Sequence, residues 1–305
     1  MITAGSIFEY LKKKEDCILL SDPNTTITHV SDWSTFSGEG LSFFRKKDPV
    51  PLEKWKNTSS GLIITHLQFK DKLGKGPFLL STNPERAFVY VSGLFAKQEP
   101  ASIHSTAVID KEAVIGKNVS VGPYAVIGKA RIGDNCKIGA HVSIQNNVSI
   151  GNNVLVMSGA IIGEPGLGSK IDYDGNLIVF PHFAGVKIGN HVIIASGTII
   201  NCGTLSDTII SDHVHISSNC LIAHNCNIGT NAYLSASAQL AGSVKIGPRC
   251  YIGFGVVISD GIELAEGITV GVGAHITTSQ LTKDITIMNQ PQLKNLGKLF
   301  SMKIE

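Results

Sequence analysis

The residue best placed for chemistry is His224, in the run Ile222-Ala223-His224-Asn225-Cys226. A neutral imidazole can take a proton from an attacking nucleophile, and a bare backbone N–H can hold the charge that builds on a carbonyl oxygen. Gly242 lies 18 residues further on, in Leu240-Ala241-Gly242-Ser243, with no side chain to block its N–H. Where residues at that separation stack, the pair is a general base beside an oxyanion donor. Amide formation from a thioester needs both, because the amine must lose a proton and the carbonyl oxygen must carry charge.

Other candidates are weaker. The remaining histidines, His213 and His215 included, lack ligand-like spacing and read as hydrogen-bonded surface residues. GEPGLGS is glycine-rich but lacks the GK[ST] ending of a phosphate loop. There is no GxSxG elbow, and no carboxylate pair has a usable spacing. Cys17, Cys136, Cys202, Cys220, Cys226 and Cys250 show no CxxC pairing, so no metal site is expected and the thiols are expected to stay reduced. With a net charge of +2 and no Lys/Arg run, the chain has no nucleic-acid footprint.

Stacking requires a repeat, and one is present. An aliphatic residue recurs at every sixth position through Ile210, Ile216, Ile222, Ile228, Leu234, Leu240, Ile246, Ile252, Ile258, Leu264, Val270 and Ile276, each followed by Ser, Ala, Gly or Thr. An earlier series runs from Ile103 to Ile127, slips by one, and resumes from Ile132 to Ile162; a third holds Ile188, Ile194 and Ile200. This period fits neither a helix nor an alternating strand. It fits a coil of three short strands per turn, each sending one aliphatic side chain inward, with small residues where the chain bends. Cys136, Cys220, Cys226 and Cys250 each stand two places before an inward aliphatic and read as interior fillers. Two interruptions, EPGLGSKIDYDGNLIVFPHFAG and a short one within NCGTLSDTI, are expected on one face, where solenoid insertions often line a binding site.

The composition agrees: 43% hydrophobic, 16% charged, 7% aromatic and 32 glycines suit many short strands joined by tight turns. Residues 1–100 lack the repeat and read as a small α/β domain, with a helix at SIFEYLKKK and strands at LSFF and GLIITHLQF. The coil is expected over 101–280 and a short helical tail over 281–305. No signal sequence or long apolar run is visible, so the expected location is the cytoplasm.

Beyond the hexads, particular segments resemble a known family. ITHVSDWSTFSGEGLSFF, STNPERAFVYVSGLF, GEPGLG, FPHFAGVKIG, CGTLSDTII and above all CLIAHNCNIG resemble signatures of the hexapeptide acyltransferases, most closely the UDP-3-O-acylglucosamine N-acyltransferases of lipid A synthesis. The resemblance implies a mainly β fold, a left-handed parallel β-helix with a small N-terminal domain, assembled as a homotrimer with sites between subunits. It implies His224 as catalytic base and Gly242 as oxyanion donor, with substrate contacts at Phe43, Asn201, Asn225 and Gly166.

The sequence also departs from that family. Lys46 and Pro49 stand where an Asn and a Tyr would meet the nucleotide, and Gly261 stands where an assisting histidine would be. Ser217-Ser218 replaces an Asp-Asn pair, Asn201 replaces an Asp, and the long C-terminal extension that engages acyl carrier protein is largely missing. The expected function is therefore N-acylation of a nucleotide-linked amino sugar for surface polysaccharide, with acyl-CoA favoured over an acyl carrier protein thioester and no tightly bound cofactor. The alternatives are N-acylation of UDP-3-O-(3-hydroxyacyl)glucosamine in lipid A synthesis and a non-catalytic scaffold. A metal-dependent β-helical carbonic anhydrase would need three convergent histidines, which the sequence does not offer.

Overall fold

The computed structural model describes residues 1–32, 38–44, 60–73, 75–96 and 99–288. The chain divides into two units, Met1–Glu99 and Pro100–Glu305.

In the first unit a five-stranded sheet runs, edge to edge, Cys17–Leu19, Phe78–Ser81, Leu62–His66, Gly40–Phe43 and His29–Val30. Helix α1 (Ala4–Lys12) starts at Thr3, whose hydroxyl accepts from the Ser6 N–H. Helix α2 (Pro84–Ser92) starts at Asn83, with proline in its first turn where no backbone donor is needed. Ile7 and Leu11 of α1 and Ala87 and Val91 of α2 are fully buried with Leu41, Leu62, Ile64 and Leu79.

The second unit is a parallel coil with three faces. The first face stacks nine strands from Val108–Ile109 to His275–Ile276, the second eight from Val114–Ile115 to Glu263–Leu264, and the third nine from Ser120–Val121 to Thr286–Ile287. Register is set by the repeat: Ile200, Ile222, Leu240, Ile258 and Ile276 pair in succession along the first face. The inward aliphatics form one continuous core, with Cys136, Cys220, Cys226 and Cys250 buried among them. Burying each such side chain contributes about 1.5–3 kcal/mol.

The bend lies elsewhere than the repeat suggests. The small residue directly after each inward aliphatic was expected at the corner, but the sharp turn comes two places later. Asn219, Asn225, Asn231, Ser237 and Ser243 occupy it with φ between 57° and 63°. That left-handed conformation is costly for most L-residues and easiest for Gly and Asn. The small residues serve a different need, close approach of the next coil. A Cβ on Gly229 would lie 2.6 Å from Pro248 N, and one on Gly247 2.5 Å from Glu266 N.

Both interruptions leave the corner between the first and second faces. One spans Ile162 to Val186 and carries an antiparallel hairpin, Ser169–Ile171 with Leu177–Val179; the other spans Ile200 to Thr208. The helical tail expected from residue 281 is replaced, as far as residue 288, by a further stretch of coil. Gln280 bridges Leu264, and Thr286–Ile287 pairs in parallel with Thr269–Val270, because the apolar pattern persists for one more turn. Residues 289–305 of that expected tail lie outside the described residues.

Candidate functional site

His224 stands on the same corner as both insertions. Ile222 points inward and is fully buried, Ala223 donates its N–H to Leu240 O, and Cys226 returns the chain to the core. Between them the half-buried His224 side chain leaves the coil. Asn225 takes the left-handed turn at φ 63°.

Asn225 is held tightly enough to define the imidazole. Its Nδ2 donates to Ser206 O at 2.7 Å, which fixes the amide orientation. Its Oδ1 accepts from the Thr204 N–H at 3.3 Å and the Thr204 hydroxyl at 2.9 Å, and stands 2.9 Å from His224 Nδ1. An amide oxygen only accepts, so Nδ1 must be the protonated nitrogen of the neutral ring. The lone pair is then on Nε2. The second insertion supplies Thr204 and Ser206, so one insertion fixes the tautomer of a histidine on the next coil.

Gly242 follows His224 by one coil, as the pairing of Ile222 with Leu240 requires. A Cβ on Gly242 would lie 2.5 Å from His224 Cε1 and 2.8 Å from Nε2. Glycine is needed here for closeness, because its φ is not in the left-handed region. Among the described residues, the Gly242 N–H has no hydrogen-bond acceptor.

The first insertion closes over the ring. A Cβ on Gly166 would make ordinary contact, 3.4 Å from His224 Cδ2 and 3.5 Å from His182 Nε2. Asn201 donates from Nδ2 to Glu164 O at 3.0 Å and so tethers the start of that insertion. A cavity of about 280 Å³ opens beside His224, lined also by Lys170, Phe180, His182, Thr204 and Ser243.

Four of the expected site residues, His224, Gly242, Asn225 and Gly166, thus meet on one corner, and Asn201 supports them through the insertion. Phe43 belongs to the first unit, where its ring stacks on Phe88 with centroids 4.4 Å apart. Lys46 and Pro49 lie outside the described residues. Gly261 has φ 70° and open space around its Cβ position.

Two residues were missed. His182 is no isolated surface histidine: its ring meets His224 edge-on with centroids 5.5 Å apart. Its Nδ1 faces Phe180 O at 3.1 Å and must therefore donate, leaving Nε2 buried and without a partner. Its place in the FPHF segment of the insertion was the available signal. The other is Asp260, one coil beyond Gly242, whose Oδ1 would stand 2.7 Å from the same Gly242 Cβ position. Its spacing, two coils beyond His224, was the available signal.

The cysteine beside the base is no nucleophile. Burial pushes the Cys226 thiol up to about 12, with the charge of Asp260 adding to it. Among the described residues, no cluster of three or more His, Cys, Asp and Glu side chains could hold a metal, and no helix is long and apolar enough to cross a membrane.

The repeat has counterparts among known proteins. Residues 129–164 match the family model described as bacterial transferase hexapeptide (six repeats), and residues 243–278 match the hexapeptide repeat of succinyl-transferase. Two stretches of the coil thus match hexapeptide-repeat models of transferases. Over 58 residues this repeat chain is 43% identical to UDP-3-O-acylglucosamine N-acyltransferase 2 of Legionella pneumophila, covering 19% of the chain and 17% of that protein. It is 41% identical over 58 residues, with the same coverage, to UDP-3-O-acylglucosamine N-acyltransferase of Cytophaga hutchinsonii. The match thus spans under a fifth of either relative's length. Among solved structures the hexapeptide coil resembles UDP-N-acetylglucosamine O-acyltransferase from Moraxella catarrhalis, with TM-score 0.57 and 25% identity over 66% of this chain and 79% of that one.

Proposed function

We propose that this chain is an N-acyltransferase that moves an acyl group from a thioester to the amine of a UDP-linked, glucosamine-type sugar. The observation that carries the reading is the His224 Nε2 lone pair, held in place by Asn225, beside the unencumbered backbone of Gly242. The amine lone pair forms the new C–N bond, the carbonyl π electrons move onto oxygen, and the Gly242 N–H donates to that oxygen. His224 Nε2 takes a proton from the nitrogen. The C–S bond then breaks, and the departing sulfur takes that proton from the imidazolium.

The names of the sequence relatives favour an acceptor of the UDP-3-O-acylglucosamine kind over the surface-polysaccharide sugar expected from the sequence. The donor, coenzyme A or acyl carrier protein, the homotrimer and the cytoplasmic location belong to this proposal too.

The test is thiol release from acyl-CoA and from acylated carrier protein, with and without UDP-3-O-acylglucosamine, by the full-length protein. Acceptor-dependent release with one donor supports the reading. No release with either donor would leave a scaffold role as the better account.

Asn225→Ala removes the acceptor that selects the tautomer. It is expected to lower kcat by about 10- to 100-fold with little change in KM. Steady-state kinetics checks this, and an unchanged kcat would show that Asn225 does not orient the base.

A further inference from the structure

Asp260 is an acidic residue of this corner that the reaction above does not use, and its surroundings are unlike those of its neighbours. Along the coil the other acidic groups nearby have partners. Asp207 meets Lys187 at 2.7 Å, Glu263 meets Lys245 at 3.5 Å, and Glu266 meets both Arg249 and Lys283. Asp212 accepts from the Asn190 N–H at 2.7 Å. Among the described residues Asp260 has neither a cation nor a hydrogen-bond donor.

Its position is narrowly bounded. The point where a Cβ on Gly242 would lie is 2.7 Å from Asp260 Oδ1 and 2.8 Å from His224 Nε2. The two atoms therefore stand no further apart than those lengths laid end to end. Both are acceptors: one is a carboxylate oxygen, the other the lone-pair nitrogen of a ring whose tautomer Asn225 sets. A single nitrogen at ordinary hydrogen-bond distance, about 2.8–3.0 Å, can reach both at once.

We infer that Asp260 is a specificity residue for the acceptor, holding one N–H of a primary amine while His224 takes the other. The inference rests on the acyltransfer reading of the site and deepens it by stating why the nucleophile is nitrogen. An amine has two N–H bonds to give. A hydroxyl has one, so an oxygen placed between these acceptors satisfies one and turns a lone pair toward the other.

The step balances. The amine nitrogen attacks the thioester carbon and becomes a cationic centre with two hydrogens. One leaves as a proton to His224 Nε2 and later passes to the departing sulfur. The other stays on nitrogen, hydrogen-bonded to Asp260, and becomes the amide N–H of the product. The carboxylate also offsets the positive charge that forms on nitrogen in between.

The test compares the wild type with Asp260→Ala and Asp260→Asn. The acceptor is UDP-3-O-acylglucosamine, and the competitive inhibitor is the same sugar nucleotide with hydroxyl in place of amine. Asp260→Ala is expected to lower kcat/KM for the amine by about 10- to 100-fold, and the inhibition constant of the hydroxyl compound is expected to stay within about twofold or tighten. Asp260→Asn, which keeps an acceptor oxygen but not the charge, should fall between. Equal weakening of amine and hydroxyl compounds would mean general damage to the site, and an unchanged kcat/KM would mean that Asp260 does not touch the amine; either overturns the inference. Absence of amine acylation by the wild type would instead remove the reading on which it rests, and the inference with it.

Discussion

Replacing His224 with alanine is expected to lower kcat by about 10²- to 10⁴-fold, the usual worth of a positioned general base. The loss should fall on kcat more than on KM, because the imidazole acts on a proton that moves only as the C–N bond forms. Stability should change little: the ring projects half-buried from a corner, and the core residues on either side, Ile222 and Cys226, remain. The measurement is acceptor-dependent thiol release alongside a thermal melt. A variant that melts normally and retains full transfer would remove the base from the mechanism.

The second large effect is expected at Gly242. Alanine there keeps the backbone N–H, so an account based only on the oxyanion donor expects little change. The geometry expects a substantial loss, because the added Cβ would stand 2.5 Å from His224 Cε1. Something must move, and the nearest atoms belong to the imidazole and, at 2.7 Å, to the Asp260 carboxylate. A displacement near 1 Å costs about 10²-fold in rate when reacting groups are aligned. Gly242→Ala should therefore fold, melt close to the wild type and turn over about 100-fold more slowly. A turnover within about threefold of wild type would mean that the imidazole tolerates the methyl and that the glycine is incidental.

The sequence made much of this legible. Its sixfold aliphatic repeat implies three-sided stacking, since only a coil puts every sixth side chain inward, and that stacking places Gly242 over His224. The grouping of the two insertions on one corner came from the same count. Among the N-terminal elements, the helix at SIFEYLKKK and the strands at LSFF and GLIITHLQF were readable from local apolar patterning, whereas the helix Pro84–Ser92 was not named from the sequence. The bend was misplaced because small residues answer two needs, and the repeat alone does not separate a corner from a close approach between coils. The start of the expected tail was placed too early, because Ile285 and Ile287 continue the coil without keeping the six-residue period that ends at Ile276.

Periodicity by itself determined the fold class, the direction of stacking and the pairing of one histidine with one glycine, because each depends only on spacing along the chain. What only the tertiary structure decided are the side-chain contacts of the corner, several of them made by insertions of irregular length. Thr204 and Ser206 orient Asn225, His182 packs edge-on to the base, and Asp260 faces the same gap as Nε2. Side-chain direction at a corner depends on the backbone turn and on what the neighbouring coil leaves open, and no count of residues supplies either.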